Sequence, residues 1–519
     1  MKNNQRSLMN NSFVVFIKNN TLLVYFSIFL LLLTYGIKIV NTNYAVDTIW
    51  LMTDSDSNLL WWESLGRAGL VVLKRALTEG YVNIYLLNFL TLSFHLLSSL
   101  LVCYLVQIVT KIKNSSFILF IIPAIYMTHP FFSSQFYFVL QSFEFTLGTC
   151  LVIFSAILIY LSYKNEGKKW LNRTLATLFL FIAFSIYQSL IPFFIAITVS
   201  IVLFHVLSDS SFNITIKSYF NFILPYISAF VIGLISSQLF NKLMMRLDNV
   251  TETQYLNGRI TWGEKPILEI INSIWNEISV QVFPPITDPF MTSLLGIELV
   301  LLIIVLTIMS IRKKPYIFLT LFHYMALFVV PFAILILQGG TLVNPHSQVP
   351  TYPYVLAIIL VSLFILIDPK FKSISYFITA IAILFLFLQV RTTSNLLFSD
   401  QMKFEEDIRV TQRLVNQIDS LQLENQSDYS LLLVGGRYSK NLSTEPANIM
   451  GLSLYVYGSF SPLAVSKNVI NFMNTLGYTF QDPTQEQYDQ IINQTDAMNI
   501  FPDGGSIKVI DKLIIVKLS

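Results

Sequence analysis

Long apolar runs alternate with short polar segments over roughly the first four hundred residues of the chain. An α-helix needs about 20 apolar residues to cross roughly 30 Å of hydrocarbon. Eleven runs meet or approach this length and predict transmembrane helices near 21–40, 84–109, 116–129, 136–162, 174–188, 190–207, 219–240, 291–311, 316–337, 353–367 and 374–390. The third, fifth and tenth are short, but polar residues or proline flank each of them where a turn is needed. We therefore predict an α-helical polytopic membrane protein.

After residue 400 the pattern changes to shorter segments. Residues 401–424 repeat apolar positions at helical spacing, whereas 429–436 form an apolar run that ends in two glycines, as buried strands do. Two short helical patterns follow, and the C-terminal segment predicts a hairpin that turns at Asp511-Lys512. The sequence thus predicts two parts, a membrane domain over 1–400 and a small α/β domain over 401–519.

Composition agrees with a membrane location and excludes several other classes. The chain is 54% hydrophobic and only 12% charged, against about 25% charged in an ordinary soluble domain, and its mean hydropathy is +0.63. The net charge of +3 argues against a nucleic-acid partner. Both cysteines lie in apolar runs and no histidine pair has metal-ligand spacing. We predict no metal and no cofactor.

Lysine and arginine are distributed unequally between alternate loops. One set of alternate loops holds seven, all in the two long loops that follow the first and the seventh predicted spans: Arg67, Lys74, Arg75, Lys242, Arg246, Arg259 and Lys265. Fifteen precede the first span or lie in every second loop after it, namely Lys2, Arg6, Lys18, Lys111, Lys113, Lys164, Lys168, Lys169, Arg173, Lys217, Arg312, Lys313, Lys314, Lys370 and Lys372. Because basic residues stay in the cytoplasm, the pattern predicts a multi-pass cell-membrane protein with a cytoplasmic N-terminus and an extracytoplasmic C-terminal domain.

The loop after the first predicted span carries the densest group of candidate chemical residues. Asp47, Asp54 and Asp56 come first, followed by an amphipathic stretch over 58–79 in which Arg67 and Lys74 share one face. We expect a single helix in the membrane interface here. A carboxylate can take the proton of an acceptor hydroxyl, and the arginine fork matches the oxygens of a departing phosphate. Solvated loop charges and lipid-phosphate anchors are the alternative interpretation.

Four further polar residues are candidates for substrate contacts. Glu144 lies within the fourth predicted span with Gln141 one turn earlier, and an ionisable group there usually lines a cavity. An interhelical hydrogen bond is the simpler explanation. Tyr187 and Gln188 end a span at the predicted outer face, where they are candidates for contacts with sugar hydroxyls. By contrast, helix capping and headgroup contact suffice to explain Asp400 at the exit of the last span.

Several segments, taken in order, resemble one family. They are VDT at 46–48, SLGRAGLVVLK at 64–74, HPFFSSQFYFVLQSFEFTLG at 129–148, SIYQSLIPFFIAI at 185–197 and the segment 391–418. Together they resemble the GtrII-like polytopic glucosyltransferases over most of residues 20–420. The Gly-Arg of the second segment and the Tyr-Gln of the fourth carry most of the specificity in combination.

The resemblance implies a glycosyltransferase of the GT-C class. Such enzymes take a sugar from a lipid phosphate, carry an acid in the first external loop and act on the outer face with inversion. The implied donor is polyprenyl-phosphate glucose and the implied acceptor is a cell-surface polysaccharide. Many relatives carry two neighbouring acids where this chain has Asp47-Thr48-Ile49. Either Asp47 acts alone, or Asp54 or Asp56 supplies the second acid. The family match and the position just outside the first span make Asp47 the first choice for the base, with Asp54 and Asp56 as alternatives. Arg67, with Lys74 beyond it, is the favoured phosphate partner.

Two other functions stay open at this level. A flippase or transporter of lipid-linked sugars would share the hydrophobicity, although transporters usually show internal repeats and charges in broken helices. This chain instead concentrates its acids and bases in one outer loop and shows no evident repeat. A polysaccharide polymerase, also a many-spanning protein with a large outer loop, is the third hypothesis.

Overall fold

A computed structural model describes the chain except for residues 1–11, 78–81, 165–167, 209–214, 254, 256–257, 286–289, 291–293, 312–316, 368–371 and 460. About 71% of it is helical. Within the described residues, seven helices are long and apolar enough to cross a membrane: Thr21–Val40, Ile84–Thr110, Val139–Tyr163, Leu190–Leu207, Ile216–Leu247, Ile317–Leu337 and Ser373–Asp419.

The helices and strands are numbered here in chain order. The first eight helices are α1 (Phe13–Asn19), α2 (Thr21–Val40), α3 (Val46–Thr53), α4 (Ser55–Ser64), α5 (Ala68–Leu77), α6 (Ile84–Thr110), α7 (Phe131–Phe136) and α8 (Val139–Tyr163). There follow α9 (Lys169–Ile186), α10 (Leu190–Ser208), α11 (Ile216–Leu247), α12 (Ile267–Val282), α13 (Leu294–Ile311), α14 (Ile317–Val329), α15 (Ala333–Leu337), α16 (Thr351–Leu366) and α17 (Lys372–Asp419). The remaining elements are β1 (Ser430–Val434), α18 (Ala464–Thr475), α19 (Gln485–Ile491), β2 (Ile507–Ile510) and β3 (Leu513–Lys517).

The seven apolar helices coincide with seven of the eleven predicted spans. The other four predicted spans fall on the short apolar segment Phe117–Met127, on α9, on α13 and on α16. In the first of these, 3-10 and π turns replace a regular α-helix, and Pro123 lacks the backbone donor that an α-helix interior requires. A membrane crossing by these four segments stays a prediction. Of the basic residues used for orientation, Lys2, Arg6, Arg312, Lys313, Lys314 and Lys370 lie outside the described residues.

The single interfacial helix predicted over 58–79 is wrong. The segment is divided between α4, which ends at Ser64, and α5, which begins at Ala68. Gly66 lies at the break with φ 72°, a left-handed conformation that residues with a Cβ rarely adopt. The turn separates the charged positions that one helix would have aligned. It also places Arg67 directly before a helix rather than within one.

The chain forms two compact units. The helical unit contains Met1–Ile39, Leu60–Phe136 and Gln141–Ser394. The sheet unit contains Val40–Leu59, Tyr137–Leu140 and Asn395–Ser519. The segment that carries Asp47, Asp54 and Asp56 therefore groups with the C-terminal part of the chain, a grouping that the sequence pattern did not indicate.

Within the helical unit, α9 packs along α11, and α10 packs against α14 and α16. Helix α16 is buried on every side from Thr351 to Leu363, as expected of an apolar helix inside a bundle. Helix α5 packs on the C-terminal part of α9 through Gly69, where a Cβ would lie 2.2 Å from the Ser185 Oγ and 2.9 Å from its backbone carbon. A glycine is thus needed for this close approach.

The sheet unit contains a three-stranded sheet in the order β1-β3-β2. Strand β3 runs parallel to β1 and antiparallel to β2, and the β2–β3 turn contains Asp511 at φ 54°. The predicted strand and the predicted C-terminal hairpin are thereby confirmed. The sheet core includes Leu431 and Ile514, and the last turns of α17 contribute Leu414 and Ile418 to it. The helix predicted over 401–424 is the end of α17, continuous with the last predicted span.

Candidate active site

Two side-chain amides hold the turn that precedes Arg67. The Asn241 Nδ2 donates to the Gly66 carbonyl at 2.8 Å, and the Asn241 Oδ1 accepts from the Ala68 backbone N–H at 3.1 Å. The Gln188 Nε2 donates to the carbonyls of Leu65 and Gly66 at 2.6 and 3.2 Å. These bonds satisfy the Ala68 N–H at the start of α5 and the Leu65 and Gly66 carbonyls before it, so they restrain the turn that positions Arg67.

The Arg67 side chain is held by three residues that the sequence had singled out. Its Nη1 donates to the Gln141 Oε1 at 3.0 Å and its Nε donates to the Gln188 Oε1 at 3.4 Å. The guanidinium lies over the Tyr187 ring, 4.3 Å from its centroid. We call Arg67, Gln141, Tyr187 and Gln188 the arginine cluster. Among the described residues, no carboxylate forms a salt bridge with Arg67.

The arginine cluster is therefore a fixed, half-buried positive charge. A guanidinium has five N–H donors, and these two hydrogen bonds to neutral amides use two of them. The aromatic face and the amide oxygens orient the fork without cancelling its charge. Such a group suits an anionic ligand with several acceptor oxygens, and phosphate is the best match for its geometry.

Lys74 and Glu144 form a buried ion pair with 2.7 Å between the Lys74 Nζ and the Glu144 Oε1. Lys74 is 3% exposed and Glu144 is fully buried. Glu144 lies in the second turn of α8, whereas the predicted span placed it mid-helix. Each charge is matched by the other, so an ion pair between α5 and α8 explains both residues without a catalytic role. A contact between Lys74 and phosphate stays a prediction.

Two histidines of the helical unit, His129 and His346, are poor cations. Removal of the His346 ring from water lowers its pKa to about 3, and the charges of Arg67 and Arg259 add to the lowering. His129 is fully buried, and burial lowers its pKa to about 3. Both imidazoles are therefore neutral near pH 7. Among the described residues, no group of three or more His, Cys, Asp or Glu side chains could hold a metal ion.

Sequence reasoning missed a buried glutamate in the helical unit. Glu298 in α13 is fully buried, and neither carboxyl oxygen has a hydrogen-bond partner among the described residues. Polar groups lie on neighbouring elements: the Gln348 Nε2 donates to the Gln281 Oε1 at 2.8 Å, and the Tyr352 hydroxyl donates to the Gln281 carbonyl at 3.4 Å. A lone acid in an apolar run, the signal that singled out Glu144, would have found Glu298 too.

The three candidate acids of the first loop differ in their surroundings within the sheet unit. Asp47 is half-buried in the first turn of α3. Burial raises the pKa of the Tyr137 phenol well above its usual value, and the negative charges of Asp400, Asp47 and Asp407 raise it further. Asp47 is therefore close enough to the buried Tyr137 phenol, together with Asp400 and Asp407, to act on it electrostatically. Asp54 and Asp56 are exposed, and the Asp54 Oδ1 accepts from the Ser57 backbone N–H at 3.2 Å as an N-cap of α4.

The interpretation of Asp400 as a cap or headgroup contact is wrong. Asp400 is buried, accepts from the Asn43 Nδ2 at 2.6 Å and lies 3.5 Å from the Nζ of Lys403, which is 1% exposed. Asp407 lies one turn after Lys403 on α17, and it accepts from the Ser453 hydroxyl at 2.5 Å and from the Leu454 N–H at 3.0 Å. We call Asp47, Tyr137, Asp400, Lys403 and Asp407 the aspartate cluster.

The spacing of Asp400, Lys403 and Asp407 along the sequence could have identified them as members of a buried cluster. Residues 400, 403 and 407 share the helix face that continues through Val410 and Leu414, both buried. Charges on an otherwise apolar stripe must be paired or must serve a ligand, because burial of an unpaired charge is costly.

Comparison with known proteins identifies the family. Residues 36–362 match the family model described as Glucosyl transferase GtrII. A search of curated proteins and a search of solved structures each found no match. The matched range contains the arginine cluster together with Asp47, Asp54, Asp56, Lys74 and Glu144. It covers more than half of the chain and confirms the resemblance seen in the sequence. The chain belongs to the GtrII glucosyl transferase family.

Proposed function

We propose that this protein transfers a sugar, expected to be glucose, from a polyprenyl-phosphate donor to a cell-surface polysaccharide. Transfer takes place on the outer face of a membrane that the chain crosses about eleven times. The C-terminal α/β domain is extracytoplasmic, and the membrane helices have the GT-C arrangement. The membrane location is supported by seven apolar helices, and the glucosyl group by the family.

The arginine cluster is the observation that carries the proposal. A polyprenyl-phosphate sugar presents a phosphodiester at the membrane surface, and its phosphate gains negative charge as the sugar leaves. Arg67 has N–H donors beyond the two that Gln141 and Gln188 accept, and no carboxylate pairs with it among the described residues. Its charge is therefore positioned before substrate binds, which is the condition for electrostatic stabilisation of a leaving group. Tyr187 and Gln188 lie beside the guanidinium, where sugar hydroxyls would also find partners.

The proposed reaction is a single displacement. The acceptor hydroxyl oxygen forms a bond to the anomeric carbon, the bond from that carbon to the phosphate oxygen breaks, and polyprenyl phosphate leaves with the electron pair. Asp47 takes the hydroxyl proton. One displacement inverts the anomeric configuration. The half-buried position of Asp47 supports this role over exposed Asp54 and Asp56, whose side chains face solvent.

A lysine substitution at Arg67 tests the phosphate role. Arg67→Lys keeps the charge but loses the planar fork, so we expect transfer from polyprenyl-phosphate glucose in membrane vesicles to fall on the order of a hundredfold. Arg75→Lys is the matched control, because Arg75 lies on α5, the helix that directly follows Arg67, in a partly exposed salt bridge with Asp248. It should retain activity within a few-fold. Near-normal transfer by Arg67→Lys would show that Arg67 is only a headgroup anchor.

A further inference from the structure

A polar cavity lies in the helical unit, and its lining contains no member of the arginine cluster. Its volume is about 460 Å³, within the usual range for small-ligand pockets. Helix α1 forms one wall, and the C-terminal ends of α6 and α8 form the others. No role of the arginine cluster or of the aspartate cluster involves these residues.

The lining of this cavity is positively charged. Lys111 and Lys164 are its basic residues, and none of the described residues that line it is acidic. Lys111 caps α6 in a left-handed conformation, and the Lys164 Nζ lies 5.7 Å from the Tyr160 ring centroid. The Gln107 Nε2 donates to the Asn114 Oδ1 at 2.7 Å, and both amides border the same space.

The rest of the cavity lining is apolar. Val15, Phe16, Ile108 and Leu161 line the cavity, and the Phe16 ring packs against the Tyr104 ring with centroids 5.5 Å apart. A ligand that fits both the basic and the apolar residues of this lining carries an anionic head and an apolar body. The cavity also lies where two apolar helices end, and a membrane places its phosphate headgroups at that level.

We propose that this cavity binds the phosphate headgroup of an anionic membrane lipid, with Lys111 and Lys164 as the charged contacts and the apolar wall against the glycerol and the first acyl carbons. Anionic lipids attract membrane-proximal lysines. The site belongs to the side with the basic loops, expected to be cytoplasmic. The inference does not depend on the proposed transferase reaction.

Native mass spectrometry of the full-length protein tests the site. The protein is purified in detergent with mixed micelles of phosphatidylglycerol or phosphatidylcholine. We expect retention of phosphatidylglycerol over phosphatidylcholine, and a loss of roughly fivefold for each lysine in Lys111→Gln/Lys164→Gln. Lys113→Gln/Lys168→Gln is the matched control, because it removes one exposed lysine from each of the same two loops. It should change retention by less than twofold.

Two further arms separate the remaining explanations. Ile108→Trp fills the cavity while keeping both charges, so it should also lower retention; this variant decides the question if the double lysine variant does not fold. Inorganic phosphate, added without lipid, probes for a free anion. Equal losses in the two double variants would overturn the proposal in favour of general surface charge. Binding of inorganic phosphate with no retention of phosphatidylglycerol would overturn it in favour of a soluble ligand.

Discussion

At the residue scale, burial distinguishes Asp47, which the family resemblance put first, from Asp54 and Asp56. Asp47, Asp54 and Asp56 lie within ten positions of each other, and their spacing alone could not rank them. The structure exposes Asp54 and Asp56 and gives Asp54 a capping bond, while Asp47 is half-buried near Tyr137. The burial of the α3 segment that carries Asp47 depends on Phe404, Leu454 and Phe472, which are distant in the sequence. No local pattern contains that information.

Asparagine substitutions test the proposed base. Asp47→Asn keeps the size of the side chain but removes its basicity, so transfer should fall on the order of a hundredfold or more while the protein still accumulates in the membrane. Asp54→Asn and Asp56→Asn are the controls and should stay near wild type in the same vesicle assay. A dead Asp54 or Asp56 variant beside an active Asp47 variant would assign the base to another acid.

Glu63 is expected to make stability depend on pH. Burial raises its pKa to about 7, the neighbouring Asp248 carboxylate adds to the rise, and Arg75 opposes it. The folded protein thus favours the neutral form. The stabilisation is complete below the ordinary pKa of 4.5 and is lost as the pH rises through about 7.

The thermal midpoint in detergent measures this effect. Glu63→Gln is neutral at every pH, so wild type should lose thermal stability relative to Glu63→Gln between pH 5.5 and 8.5. Titration of all other groups is common to both proteins and cancels in the comparison. Parallel midpoints across that range would mean that Glu63 keeps the same charge in the folded and unfolded states.

At the element scale, periodicity predicted the apolar helices and the sheet but missed the break in the first loop. Seven spans, β1 and the β2–β3 hairpin follow from runs of apolar residues that local sequence defines. The break at Gly66 instead depends on Asn241 and Gln188, whose amides hold the turn from other helices. The sequence did identify all four members of the arginine cluster, because all four lie in the segments that resemble the family, and Gln141 also precedes Glu144 by one turn.

The Lys74–Glu144 pair links α5 to α8, and its role can be separated from catalysis. Glu144→Gln leaves Lys74 buried without its counter-charge, which should cost about 3–5 kcal/mol of stability. Replacing both charges, as in Lys74→Met/Glu144→Leu, should restore most of it. Thermal midpoints of the single and double variants measure the stability contributed by the pair, and their transfer rates measure its contribution to catalysis.

The double variant decides between the two roles of Lys74. A stable and active double variant means that the pair only packs α5 against α8. A stable double variant with transfer reduced on the order of a hundredfold would instead assign Lys74 to the phosphate, as the sequence predicted. Stability of Glu144→Gln equal to wild type would contradict the buried ion pair itself.

At the scale of the whole molecule, the chain combines a helical unit that carries the arginine cluster with a sheet unit that carries Asp47. The predicted boundary near residue 400 follows the composition, yet residues 40–59 group with the C-terminal part. Composition cannot reveal this grouping, because it arises when Val46 and Ile49 pack against Phe404, Leu454 and Phe472. The family match covers residues 36–362 and so includes residues of both units.

We propose above that this protein adds glucose to an existing surface polymer. The composition of the cell-surface polysaccharide tests this directly. Cells with the gene, without it, and without it but complemented by the gene are compared by linkage analysis. We expect loss of the gene to remove one glucosyl branch and to leave the polymer backbone intact. Complementation should restore the branch. Loss of the whole polymer would contradict the account and indicate a polymerase or a flippase, and an unchanged polysaccharide would contradict all three.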